Sequence, residues 1–135
     1  MKTIKCILKG IKKRPEYAVM AVCVILLYSF NNIYLKVVTV GIVNYFFVCY
    51  FNDLICPVLF LSYINILTMS VNKEVRKLWV ILVICILSGL FWELKFPMLK
   101  HEAVSDPYDI LFYIFGGLIY CIIVKVIEVT RKAKR

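Results

Sequence analysis

The chemistry open to this chain rests on a few acids. There are 8 Asp and Glu residues against 17 Lys and Arg. Asp53, Glu93, Asp106 and Asp109, together with Glu102, stand at the edges of long apolar runs. A carboxylate at the rim of an apolar layer is costly unless it faces a partner or a water-filled cavity. Several of them together raise at least one pKa, and a bound cation or a cationic ligand group relieves that repulsion. Carboxylates with some water suit hard divalent ions such as magnesium, the one cofactor type such a cluster invites. Proton coupling is the other physical use. Paired acids can also serve as acid and base on a lipid-linked substrate. No nucleophile motif or phosphate-binding loop accompanies them, and His101 is the single histidine. The expectation is a non-enzymatic binding protein.

The elements that must position these acids follow from composition. Hydrophobic residues make up 63% of the 135, charged residues 19%, and the mean hydropathy is +0.88. A soluble domain this small has too much surface to hide that composition. A soluble enzyme, a disordered chain and a collagen-like fibre are excluded, and the fold class is an all-α polytopic membrane protein. About 20 apolar residues cross the hydrocarbon. That rule predicts four spans over about 17–35, 51–69, 78–96 and 107–127, in one integral membrane domain. Residues 37–50 are too short to cross twice and too apolar for a plain loop, so they are expected to be interfacial or re-entrant. Trp79 and Trp92 stand at the two ends of the third span, as interfacial aromatic belts require.

Orientation comes from the 17 basic residues. Nearly all lie in three stretches, residues 2–14, 73–77 and 125–135, leaving only Lys36, Lys95 and Lys100 on the opposite side. Basic loops stay cytoplasmic, which predicts both termini inside. The same charge favours anionic lipid head groups at the cytoplasmic face. No nucleic-acid motif accompanies it. The six cysteines include no C-x-x-C pair, and Cys49 with Cys56 is the one pair close in sequence. Lys125 and Glu128 are expected to pair at the inner boundary.

With that topology, Asp53, Glu93, Asp106 and Asp109 fall in one outer layer, with Asn44, Asn52 and His101. Asp106, Asp109, Tyr113, Gly116, Gly117 and Tyr120 follow the three-and-four rhythm of one helix face. Gly89 lies four residues before Glu93 on the third span. Small residues let helices approach closely in lipid, so the third and fourth spans are expected to meet along Gly89, Gly116 and Gly117. Asp106, Pro107 and Asp109 also make a good helix start. Glu93 is placed near a helix C-terminus, where the dipole disfavours an anion, and capping does not explain it. The ligand-binding set is Asp53, Glu93, Asp106, Asp109 and Tyr113.

The segment F-W-E-L-K-F-P, followed by S-D-P-Y-D-I-L-F-Y-I-F-G-G, resembles the C-terminal half of VanZ-like membrane proteins. The match lies in Glu93 ending one helix, Asp109 opening the next and Gly116 seven residues on. F-N-D-L-I-C-P-V, residues 51–58, is similar to the second span of short bacterial membrane proteins sometimes labelled magnesium-citrate secondary transporters. Phe96 and Tyr113 depart from the VanZ-like pattern, which commonly has glutamine and asparagine there. The resemblance implies a small bacterial inner-membrane protein with an outer acidic site. The expected function is an outward-facing acidic pocket for an envelope ligand or cation. The alternative is a homodimeric secondary transporter, cation- or proton-coupled, since one four-helix unit hardly encloses a pathway.

Overall fold

A computed structural model of the chain describes residues 2–99 and 108–133, apart from the side chains of residues 2, 3, 6 and 93–99, and all its regular elements are helices. Helix α1 (Lys2–Lys13) ends where Arg14 leaves the helical region at φ −139° and ψ 76°. Pro15 forces that break, because proline disfavours the α conformation in the residue before it. Pro15 then opens α2, where its missing N–H costs nothing. This helix runs over Pro15–Val38 and widens to a π turn at Asn31–Leu35. Thr39 and Val40 are extended, and Gly41 turns the chain at φ 66°, a left-handed conformation suited to glycine.

Helices α3 (Gly41–Cys49) and α4 (Phe51–Met69) follow, joined through Tyr50. Residues 37–50, expected as an interfacial or re-entrant piece, are thus mostly helical. A turn through Asn72, at φ 60°, leads to α5 (Leu78–Leu99), and α6 (Tyr108–Ala133) completes the described chain. Three helical lengths are long and apolar enough to cross a membrane, namely Pro15–Val38, Gly41–Met69 and Tyr108–Ala133. Leu78–Trp92 is a shorter apolar stretch.

Helix α4 is the hub. It packs against α1, α2 and α6, while α5 packs chiefly on α6. Tyr17, Met20 and Val24 of α2 meet Ile55, Val58, Leu61 and Ile66 of α4, with Ile81, Cys85 and Tyr120 closing the core. Leu26, Ile33, Leu87 and Ile122 point outward and are exposed, the exterior that lipid rather than water accepts. Close backbone approach and buried hydrogen bonds add to this packing. Gly10 shows the first, because a Cβ there would stand 1.9 Å from the Ile66 carbonyl oxygen.

Asn65 shows the second. Fully buried, it donates through Nδ2 to the Val75 carbonyl (3.1 Å) and to the Tyr120 hydroxyl (2.5 Å). Its Oδ1 accepts from the Val75 N–H at 2.7 Å. One side chain thereby fixes the 70–77 connection to α4 and α6. Asn65→Ala strands three polar groups and should cost about 2–3 kcal/mol. A thermal melt in detergent should drop by several degrees, and an unchanged melting point would contradict this role.

Candidate functional site

At one end of the bundle, α4 and α6 both begin with a carboxylate in the first turn, Asp53 and Asp109. The positive end of each helix dipole favours an anion there. Asp53 precedes Cys56 and Pro57 by about one turn, and Asp109 precedes Tyr113 by four residues. Tyr113 is only 5% exposed, and its hydroxyl donates to Cys56 Sγ at 3.7 Å. The Cys56–Tyr113 contact sets the first turns of α4 and α6, with Asp53 and Asp109, at the same level of the bundle. The structure therefore brings Asp53, Asp109 and Tyr113 from two helices to one place. The Asp106 residue and the Glu93 side chain lie outside the described residues.

Beside this cluster is a cavity of about 440 Å³. Cys56, Pro57 and Phe60 of α4 form one wall, and Cys85, Leu87, Ser88, Phe91 and Trp92 of α5 form the other. Tyr113 of α6 completes the lining. The groove exists because α5 leans on α6 and stands away from α4. An aromatic layer braces the same end, with Tyr50 stacked on Phe112 at 4.6 Å and Phe46 meeting Phe112 at 5.9 Å.

The glycines divide differently from the expected pattern. A Cβ on Gly117 would lie 2.6 Å from Cys85 Sγ, and one on Gly89 would lie 3.5 Å from Ile110 Cα, so both sit between α5 and α6. Gly116 instead faces α4, where a Cβ would come within 2.2 Å of the Leu54 carbonyl oxygen and 2.9 Å of Pro57 Cγ. The physical reason is that α6 lies between two helices, and adjacent residues on it point about 100° apart. Tyr120 also leaves the cluster and joins Asn65 at the other end.

Asn31, at the π turn, is fully buried and donates to the Phe47 carbonyl and to Asn52 Oδ1, both at 3.0 Å. Its Oδ1 has no hydrogen-bond partner among the described residues. Cys49 and Cys56 are free thiols. Among the described residues, no group of three or more His, Cys, Asp or Glu side chains is placed to hold a metal ion.

The opposite end holds an ionic network that the sequence reading missed. Arg14 meets Glu16 at 2.7 Å, Glu74 at 3.2 Å and Glu128 at 3.9 Å. Arg76 lies 2.5 Å from both Glu74 and Glu128, and Arg131 lies 3.3 Å from Glu16. Tyr17 donates to Glu74 as well. The expected Lys125–Glu128 pair is therefore corrected, since Glu128 turns to two arginines from distant segments. A signal was present. Glu16, Glu74 and Glu128 are the acids left over from the outer layer, and each lies within or beside a basic stretch.

Comparison with protein-family models, with curated proteins and with solved structures gives no match.

Proposed function

We propose that this chain is a small membrane-embedded binding protein, non-enzymatic, whose outward-facing acidic site takes the cationic part of an envelope ligand. The observation that carries this is the Cys56–Tyr113 contact, which sets Asp53 and Asp109, each about one turn earlier in its helix, at one level beside a cavity of about 440 Å³. That volume falls within the range of small-molecule sites. Two carboxylates near an apolar wall repel each other less when a cation lies between them.

The setting we infer is a bacterial inner membrane, crossed four times with both termini inside. Support comes from three span-length apolar helices, a fourth apolar helix at Leu78–Leu99 and the one-sided placement of the basic stretches. On this topology the Asp53–Asp109 end faces outward and the arginine network faces the cytoplasm. The VanZ-like resemblance of the segment around Glu93, Asp109 and Gly116 agrees with an outer acidic site.

The test is a thermal-shift titration of detergent-purified protein with ethanolamine hydrochloride and magnesium chloride, against sodium chloride at matched ionic strength. Saturation to about 100-fold above Kd adds about 2.7 kcal/mol. At least one of the two cations should therefore raise the melting point by several degrees more than sodium. The Asp53→Asn/Asp109→Asn double variant should lose that excess while keeping its helical circular dichroism. An identical response to all three salts in the wild-type protein would overturn the acidic-site function.

A further inference from the structure

The groove between α4 and α5 says more than the carboxylates do. Its walls are Pro57, Phe60, Leu87, Phe91 and Trp92, and its polar atoms are few. The Tyr113 hydroxyl is already engaged with Cys56. Water gains little in such a space, because a stable buried water needs two to four polar partners. An empty space forfeits dispersion contacts along both walls. A site of this kind at membrane depth is solvated by hydrocarbon.

Its polar end is equally specific. Asp53 is three and four residues before Cys56 and Pro57 in α4, and Asp109 is four before Tyr113 in α6. One helical turn is about 5.4 Å, so both carboxylates stand about one turn beyond the groove, at the N-terminal ends of their helices. The arrangement is apolar along its length, with two carboxylates at its mouth. Charge complementarity then selects the head group, since the ammonium of a zwitterionic one is drawn to the carboxylates and a net anionic one, with no cation to offer them, is repelled.

We propose that the groove seats an acyl chain of a membrane phospholipid with an ammonium head group, the ammonium lying against Asp53 and Asp109. This rests on the acidic-site function proposed above and names its ligand. The phospholipid meets both features at once. Its chain fills the space along Phe60, Leu87 and Phe91, and its head group reaches the carboxylates one turn further out. A water-soluble amine would meet only the carboxylates.

Trp92 is a reporter built into the wall. The chain has two tryptophans, and Trp79→Phe leaves Trp92 alone. The Trp79→Phe protein is reconstituted in vesicles of unbrominated phosphatidylglycerol containing an equal fraction of dibrominated phosphatidylethanolamine or dibrominated phosphatidylglycerol. Bromine quenches indole on contact, and both lipids reach the exposed edge of Trp92 from the bulk. Preferential seating should therefore appear as quenching about threefold greater for phosphatidylethanolamine, the size of a modest ionic preference. Adding Asp53→Asn/Asp109→Asn should equalise the two lipids. Ser88→Phe, which fills the groove from the α5 wall, should lower the phosphatidylethanolamine value towards that of phosphatidylglycerol.

Equal quenching by the two lipids in the Trp79→Phe protein overturns the proposal without reference to any groove variant. A preference that survives both Ser88→Phe and the carboxylate substitutions overturns it too. Equal quenching with ethanolamine stabilisation retained removes the lipid and leaves the acidic site. Loss of both removes the site itself.

Discussion

Glu74→Ala should destabilise the protein by about 3 kcal/mol, as expected when one member of a largely buried ion pair is removed. The Glu74 side chain is 13% exposed and that of Arg14 is 15%. Glu74 accepts from Arg14, Arg76 and the Tyr17 hydroxyl. Removing it leaves Arg14 with Glu16 at 2.7 Å and Glu128 at 3.9 Å, and strips the charge from the middle of a network of three arginines and three glutamates. Arg131→Ala is the contrast. Its pair with Glu16 is half exposed at the arginine, and exposed pairs contribute under about 1 kcal/mol. Thermal or denaturant unfolding of the two variants in one detergent should separate them clearly, and equal losses would argue that the network is only a solvated surface.

The same network sets an acid limit. Burial pushes the Glu74 carboxyl up, but hydrogen bonds from Arg76 and Tyr17 and the charge of Arg14 outweigh it, leaving the pKa below its ordinary 4.5. A carboxylate whose folded pKa is depressed adds stability that is complete above the unfolded value and disappears as pH falls through the folded one. Wild-type stability should therefore decline below about pH 4.5 more steeply than that of Glu74→Gln. The two curves should converge in acid. Parallel curves between neutral pH and pH 3 would contradict the assignment.

The parts of the fold legible in the sequence are those that the solvent dictates. Hydrocarbon demands long apolar helices, so the apolar bodies of α2, α4 and α6 could be read from composition as spans over about 17–35, 51–69 and 107–127, whereas the start of α2 at Pro15 was not. Residues 37–50 were harder because their polar signals are sparse; Asn44 is the one strongly polar side chain in the later part. Without a polar face there is no period to read, and Gly41 and Asn44, which turn the segment and tie it to the Lys36 carbonyl at 2.8 Å, act through tertiary geometry. Asp53, Asp109 and Tyr113 were legible because helix ends and one-face spacing place them. Ion-pair partners were not. Glu128 was matched to Lys125 by helical neighbourhood, whereas the structure pairs it with Arg14 and Arg76 across three segments. A small residue likewise announces that some backbone comes near without saying which one.

Gly116 makes that last point testable, with the second large effect. Gly116→Ala places a methyl 2.2 Å from the Leu54 carbonyl oxygen and 2.9 Å from Pro57 Cγ, against a backbone atom and a rigid ring. Neither can rotate away, so α6 must shift from α4. Alanine is worth about 1 kcal/mol over glycine as a helix former, too little to offset overpacking that reaches about 3 kcal/mol in tight interfaces. Gly117→Ala meets Cys85 Sγ at 2.6 Å, a side-chain atom that can turn or be removed. It should cost about 1 kcal/mol and be relieved in Gly117→Ala/Cys85→Ala. Pro57→Ala should not relieve Gly116→Ala, because the Leu54 carbonyl remains. Displacing α6 also draws Tyr113 and Asp109 away from Cys56 and Asp53, so Gly116→Ala should lose cation stabilisation even where it stays folded. Gly117→Ala/Cys85→Ala should keep it. Equal stability and equal cation response in Gly116→Ala and Gly117→Ala would show that contact with α4 does not hold the acidic site together.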